Sequence, residues 1–159
     1  MACSVCSRIR ETQEGKNPYF VREMETGYVV LGDYQLIKGY TVFICKVCAK
    51  ELHELEPSFR EKFLREMSQT AQAVYRAFQP EKLNYELLGS GDALHMHWHL
   101  FPRTREDFAF PGPVWALPKE IRCGESTRPS PEELKAMKAA LRRELAVILG
   151  ESSPPAAHL

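Results

Sequence analysis

The sequence predicts an α+β domain with an antiparallel sheet, and three observations carry that prediction. The elements read in the order strand, strand, helix, strand, strand, helix; the second pair of strands is joined by a glycine-rich turn; and 159 residues suffice for one domain with a real core. The first strand is Gly27-Tyr28-Val29-Val30-Leu31, ended by Gly32-Asp33, and Tyr40 through Cys45 is a second, β-branched and aromatic one. From Pro57 to Phe78 the apolar residues Phe59, Phe63, Met67, Ala71, Val74 and Phe78 recur at spacings of three and four. That makes a long helix with Pro57 in its first turn, Pro80 beyond its end, and Arg60, Glu61, Lys62, Arg65 and Glu66 as its solvated side. Leu83 through Leu88 follows as a strand, turned at Gly89-Ser90-Gly91-Asp92 into a histidine-bearing strand to make a hairpin. Residues 103–130 hold several prolines and little periodicity and read as an extended connection. The last helix takes Ser130 as N-cap, Pro131 as first residue and Glu132 and Glu133 in its first turn, and runs to Leu149 before Gly150. Its Leu134, Met137, Leu141, Leu145 and Ile148 form a stripe for packing on the sheet.

Composition excludes several function classes. With 21 basic and 21 acidic residues the formal net charge is zero, which gives no general attraction for polymeric nucleic acid or an anionic membrane. No apolar run approaches the ~20 residues of a membrane-spanning helix, and the first residues lack the apolar stretch of a signal peptide, so a cytoplasmic protein is expected. Four of the five cysteines form two C-x-x-C pairs, Cys3/Cys6 and Cys45/Cys48; in a reduced compartment these suggest thiolate metal ligands more than disulfides. Cys123 reads as an ordinary free thiol.

Three of the five histidines alternate along one run, His95-Met96-His97-Trp98-His99, followed by Leu100-Phe101-Pro102-Arg103. In an extended strand the imidazoles share one face, while Met96, Trp98 and Leu100 share the other. Imidazole is the commonest metal ligand and a frequent acid, base or nucleophile, so one strand is buried on one side and armed on the other.

This run resembles the H-φ-H-φ-H-φ-φ signature of the histidine-triad family, and the likeness extends from Cys3 to about Trp115. It includes Asp33 after its strand, Gly39-Tyr40-Thr41-Val42, the Asn84 strand, Pro102-Arg103 and Val114-Trp115. The resemblance implies a histidine-triad fold over residues 1–115, with the long helix packed on the sheet; beyond it the chain reads as an extension over 116–150 carrying the C-terminal helix and a disordered tail over 151–159. In particular the chain resembles bacterial hydrolases of the diadenosine tetraphosphate hydrolase kind. The implied activity is cleavage at the α-phosphate of dinucleoside polyphosphates or nucleoside phosphoramidates. His97 would be the nucleophile that forms a nucleotidyl intermediate, and His99 a donor to a phosphate oxygen. Asp33 is either a turn residue after Gly32 or the ligand of the ribose hydroxyls, and Asn84 either a strand-edge polar residue or a phosphate and ribose contact. The amides of Ser90, Gly91 and Asp92 are further candidates for phosphate. A nucleotidyltransferase and a non-catalytic nucleotide-binding module stand as alternatives. The resemblance also implies a homodimer, across which Trp115 would reach a site unless it packs in the core.

For the metal, the resemblance implies a structural zinc held by Cys3, Cys6, position 48 and His95. The chain departs from the pattern by having Cys48 where relatives usually carry histidine, which keeps a ligand, since zinc takes thiolate as readily as imidazole. The two C-x-x-C pairs by themselves suggest an all-cysteine site using Cys45 and leaving His95 free, or reduced thiols with no metal. A second departure is the turn Gly89-Ser90-Gly91-Asp92-Ala93-Leu94, which lacks the Gly-Gln-Ser or Gly-Gln-Thr stretch that touches phosphate in many relatives and leaves the leaving group open.

Overall fold

The computed structural model describes residues 3–151. Strands β1 (Phe20–Glu23), β2 (Gly27–Leu31), β3 (Thr41–Cys45), β4 (Lys82–Leu87) and β5 (His97–Arg103) form one antiparallel sheet in the order β1-β2-β3-β5-β4. Among the described residues four helices accompany it: α1 (Ser4–Gln13), α2 (Pro57–Phe78), the single turn α3 (Lys119–Arg122) and α4 (Pro131–Ile148). Strands β2 and β3 are buried at every position because both faces of the sheet centre are covered, which is why they read as continuous apolar runs without alternation.

One face carries the main core. Val29, Leu31, Phe43, Cys45 and Leu100 of the sheet meet Phe63, Ala71 and Val74 of α2 and Met137, Leu141 and Leu145 of α4. The α2 limits follow the sequence: Glu56 caps the Phe59 amide, Pro57 takes the first position, and Gln79 ends the helix in the left-handed region at φ 48°. Ser130 and Glu133 close a capping box at the start of α4, as their spacing suggests. The α4 residue Arg142 also donates from Nε to the Val21 carbonyl at 2.8 Å, tying the extension to the edge strand β1.

The opposite face is smaller, and α1 lies on it. Val5 packs with Tyr28, Val30, Val42 and Ile44. Neither α1 nor β1 was expected, and the reason is compositional: α1 buries only Val5 and Thr12 among polar residues, and β1 has four residues of which Val21 is the one buried.

Four expectations need correction. Glu66 is not on the solvated side of α2: it is buried, and its carboxylate accepts the amides of Glu25 and Thr26 and the Thr26 hydroxyl, satisfying the turn between β1 and β2. The β4–β5 hairpin exists, but its connection spans residues 88–96 and β5 starts at His97, because the turn at Gly91 (φ 58°) is closed by a Ser90–Ala93 bridge well short of the ladder. Residues 103–130 are not extended. They form short helical turns at Arg105–Ala109, Val114–Ala116, α3 and Glu125–Thr127, the first of them pinned by buried Arg103, which donates to the carbonyls of Phe110 and Gly112 at 2.8 and 3.1 Å. Glu151, assigned to the tail, is bonded to Arg22 at 2.9 Å and to the Ala146 carbonyl; residues 152–159 lie outside the described residues. No described helix is long and apolar enough to cross a membrane.

Candidate functional site

Strand alternation sends Met96, Trp98 and Leu100 toward the α2 side and His97, His99 and Phe101 to the other, where they line a cavity of about 330 Å³. Such a volume lies in the range of small-molecule sites. Its floor is β2, β3 and β5 (Val30, Val42, Ile44, His97, His99); its walls are α1 through Ser4, Val5 and Arg8, the loop after β2 through Asp33 and Tyr34, and the helical turns through Val114, Trp115, Arg122 and Cys123.

The two imidazoles are held in defined states. The Nδ1 of His97 lies 2.7 Å from the carbonyl oxygen of His95, and a carbonyl only accepts, so Nδ1 carries the proton and Nε2 keeps its lone pair. The Nδ1 of His99 lies 2.6 Å from the Tyr40 hydroxyl. Burial, reinforced by the nearby Asp33 charge, pushes the Tyr40 phenol well above its ordinary range, so it stays protonated. Its hydroxyl has no other hydrogen-bond partner among the described residues. Tyr40 therefore donates to Nδ1, and neutral His99 carries its proton on Nε2. Burial lowers the pKa of His97, and burial followed by the neighbouring His97 lowers that of His99 to about 3. Both rings are neutral at pH 7. They meet edge to face at 4.6 Å, and Trp115 meets His99 edge to face at 5.0 Å.

Asp33 lines the cavity, and Arg8 of α1 donates to its Oδ2 at 2.5 Å with both groups about one-third exposed. The pair fixes the carboxylate while leaving Oδ1 to accept from a ligand. Of the two readings of Trp115, packing in the core does not hold: it is 40% exposed and lines the cavity of its own chain. Cys123, a free thiol, also lines the cavity. Asn84, Ser90 and Gly91 do not line it. Asn84 faces a shallower groove with Glu86 and Pro111–Pro113, because β4 lies beyond β5 in the sheet and that loop separates the two hollows. Ser90 and Gly91 sit at an exposed turn, whose next residue, Asp92, accepts from the Ser4 amide at 3.2 Å through its carbonyl.

Beside the cavity, ligand atoms of Cys3, Cys6, Cys48 and His95 all lie within 4.8 Å of one another. His95 is not part of β5. It is buried in the bend before it, with Nε2 donating to the Cys45 carbonyl at 2.7 Å, which leaves Nδ1 unprotonated and 3.4 Å from the Cys6 sulfur. Cys45 contributes a carbonyl and not its thiol: its side chain lies on the opposite face, in the main core, where burial raises it to about 11. Within the cluster the thiols diverge. Burial would raise Cys3, but hydrogen bonds from the Cys6 amide and thiol outweigh it and hold Cys3 below the ordinary thiol value; burial and the neighbouring sulfurs push Cys6 up to about 12.

Sequence reasoning missed Arg8, Tyr40, Arg122 and the placement of Trp115. Arg8 lies on α1, whose polar composition carries no apolar stripe to mark a helix, and Tyr40 stands at the start of a strand, where no local spacing marks it as the partner of His99.

No family model matches the chain, and no curated protein does. Solved structures do. A histidine triad protein from Sinorhizobium meliloti superposes with a TM-score of 0.69 at 20% identity, covering 84% of this chain and 93% of that one. A hypothetical histidine triad nucleotide-binding protein from Sulfolobus tokodaii gives 0.67 at 20% identity, covering 92% and 93%. A zinc-bound histidine triad family protein from Mycobacterium smegmatis gives 0.61 at 19% identity, covering 94% and 97%. These likenesses concern architecture, and with the five-stranded antiparallel sheet they lead to one statement: the chain has the histidine-triad fold.

Proposed function

We propose that the protein is a nucleotide hydrolase that cleaves at the α-phosphate of dinucleoside polyphosphates or nucleoside phosphoramidates. The observation that carries the reading is the protonation pattern of the imidazole row: Nδ1 of His97 is spent on the His95 carbonyl, so its Nε2 lone pair is the nucleophile of the cavity. That lone pair attacks the α-phosphorus, and the bond to the leaving group breaks with its electrons going to the leaving group. Water then attacks the same phosphorus and releases Nε2. His99, its tautomer set by Tyr40, donates from Nε2 to a non-bridging oxygen, where negative charge gathers in both steps. Asp33 accepts the ribose hydroxyls on Oδ1. The reading assigns no substrate contact to Asn84, Ser90 or Gly91.

The thiol and imidazole cluster fits a zinc ion. Its donor set is three thiols and one imidazole, its 3.4 Å sulfur–nitrogen spacing matches neighbouring ligands at ~2.0–2.3 Å from a tetrahedral ion, and the second ring nitrogen of His95 is hydrogen-bonded as metal-bound imidazoles usually are. Zinc bound there supplies structural cross-linking, because four protein ligands leave no open position. Cys3 and Cys6 then anchor the start of α1 to His95, two residues ahead of the nucleophile.

The homodimer is proposed on the open edge of the sheet, where β4 has a neighbour on one side only and Tyr85 is 49% exposed. Light scattering at micromolar concentration checks it. For the activity, incubation with an adenylylated substrate separates the alternatives: hydrolysis yields AMP in water alone, a nucleotidyltransferase needs added phosphate or another acceptor, and a binding module gives no product. A His97→Asn variant that hydrolyses at the wild-type rate overturns the nucleophile assignment.

A further inference from the structure

The charge balance of the cavity points to a residue that no motif singled out. Among the described residues the cavity is lined by two guanidinium cations, Arg8 and Arg122. Arg8 is spent on Asp33. Arg122 has no carboxylate within ion-pair reach among the described residues, yet it is firmly held. Its Nε donates to the Leu117 carbonyl at 3.0 Å, and its guanidinium carbon stands 4.1 Å from the centroid of the Trp115 ring. Nη1 and Nη2 have no hydrogen-bond partner among the described residues, so two donors of a fixed fork remain on a cavity wall. The Arg122 charge also reaches the Tyr40 hydroxyl, where it opposes the rise caused by burial.

A nucleotide brings negative charge into this cavity, and a guanidinium fork is suited to bind phosphate oxygens in pairs. The oxygens of the attacked phosphate already face the His99 donor. Arg122 and His99 pack on the same Trp115 ring, the guanidinium carbon 4.1 Å and the imidazole centroid 5.0 Å from its centroid, which sets the Arg122 fork one side chain away from the His99 donor. We propose that Arg122 binds the phosphoryl group beyond the one His97 attacks, and that it makes the site select anionic polyphosphate leaving groups over amines. The inference rests on the hydrolase reading above and chooses between the two substrate classes left open there.

The test compares wild type, Arg122→Gln and Arg122→Lys on a dinucleoside tetraphosphate and on a nucleoside phosphoramidate with the same nucleoside and α-phosphate. Loss of one charge-assisted contact predicts a fall of roughly 10- to 100-fold in kcat/KM on the tetraphosphate for Arg122→Gln, within about threefold of wild type on the phosphoramidate. Arg122→Lys recovers part of the loss. Calorimetry with nucleoside mono- and diphosphates gives a readout independent of turnover: wild type prefers the diphosphate and Arg122→Gln loses that preference. Equal losses on both substrates, or no loss on either, overturn the inference while leaving the hydrolase reading intact. A wild-type protein that turns over neither substrate but shows the diphosphate preference overturns the hydrolase reading and keeps Arg122 as the phosphate ligand; one that binds neither nucleotide overturns both.

Discussion

Tyr40→Phe removes one oxygen and leaves the ring, which is stacked on Phe101 with centroids 4.2 Å apart, in place. What is lost is the 2.6 Å hydrogen bond to Nδ1 of His99, a residue only 4% exposed, so the freed nitrogen has no water to replace the phenol. A buried acceptor left without its donor costs about 1–3 kcal/mol. That cost divides between two readouts. Part of it lowers stability, by roughly 2–4 °C in Tm for each kcal/mol in a chain of this size. The rest is relieved if His99 moves its proton to Nδ1, which removes the Nε2 donor from the cavity; a fall of about 10- to 100-fold in kcat is expected, with KM little changed. Nitrogen NMR of the imidazoles reads the tautomer directly and needs no activity: wild type shows His99 protonated at Nε2, and the variant shows a mixture or the Nδ1 form. A variant with the wild-type tautomer and rate refutes the positioning role and with it the assignment of the Tyr40 proton.

Three further outcomes are expected. Glu66→Ala strips the partners from two amides and a hydroxyl at the β1–β2 turn and should cost about 2–4 kcal/mol in a denaturant titration; Glu61→Ala, on the outer side of the same helix, should stay within about 0.5. Stability should fall with acid through His99: its folded pKa of about 3 lies below the ~6.5 of the unfolded chain, so the unfolded state takes the proton first. The contribution is whole above pH ~6.5, is reduced by on the order of 2 kcal/mol at pH 5, and continues to fall toward pH 3; a His99→Gln variant with an unchanged slope between pH 7 and 5 contradicts it. Metal analysis should find one zinc per chain in the wild type and in Cys45→Ala, and a loss in Cys48→Ala; retention in Cys48→Ala together with loss in Cys45→Ala would reverse the ligand assignment.

Features with a short chemical period were legible in the sequence. The limits of α2 and α4, the alternation that puts His97 and His99 on one face and Trp98 and Leu100 on the other, and the two C-x-x-C pairs all follow from spacings of two to four residues. Each is fixed by backbone geometry, so neighbouring residues suffice to read it. What the tertiary structure alone decided was which distant groups meet. The sequence left Cys45 and His95 as rivals. The strand put the Cys45 thiol under α2, while the bend before β5 put His95 beside Cys6, 89 residues away in the chain. Arg8 reaches Asp33, Tyr40 reaches His99, and Trp115 and Arg122 close the cavity from a segment without periodicity. Those meetings depend on how helices and turns pack across the whole sheet, where complementarity of shape and charge over many residues selects the partners. No local spacing encodes them.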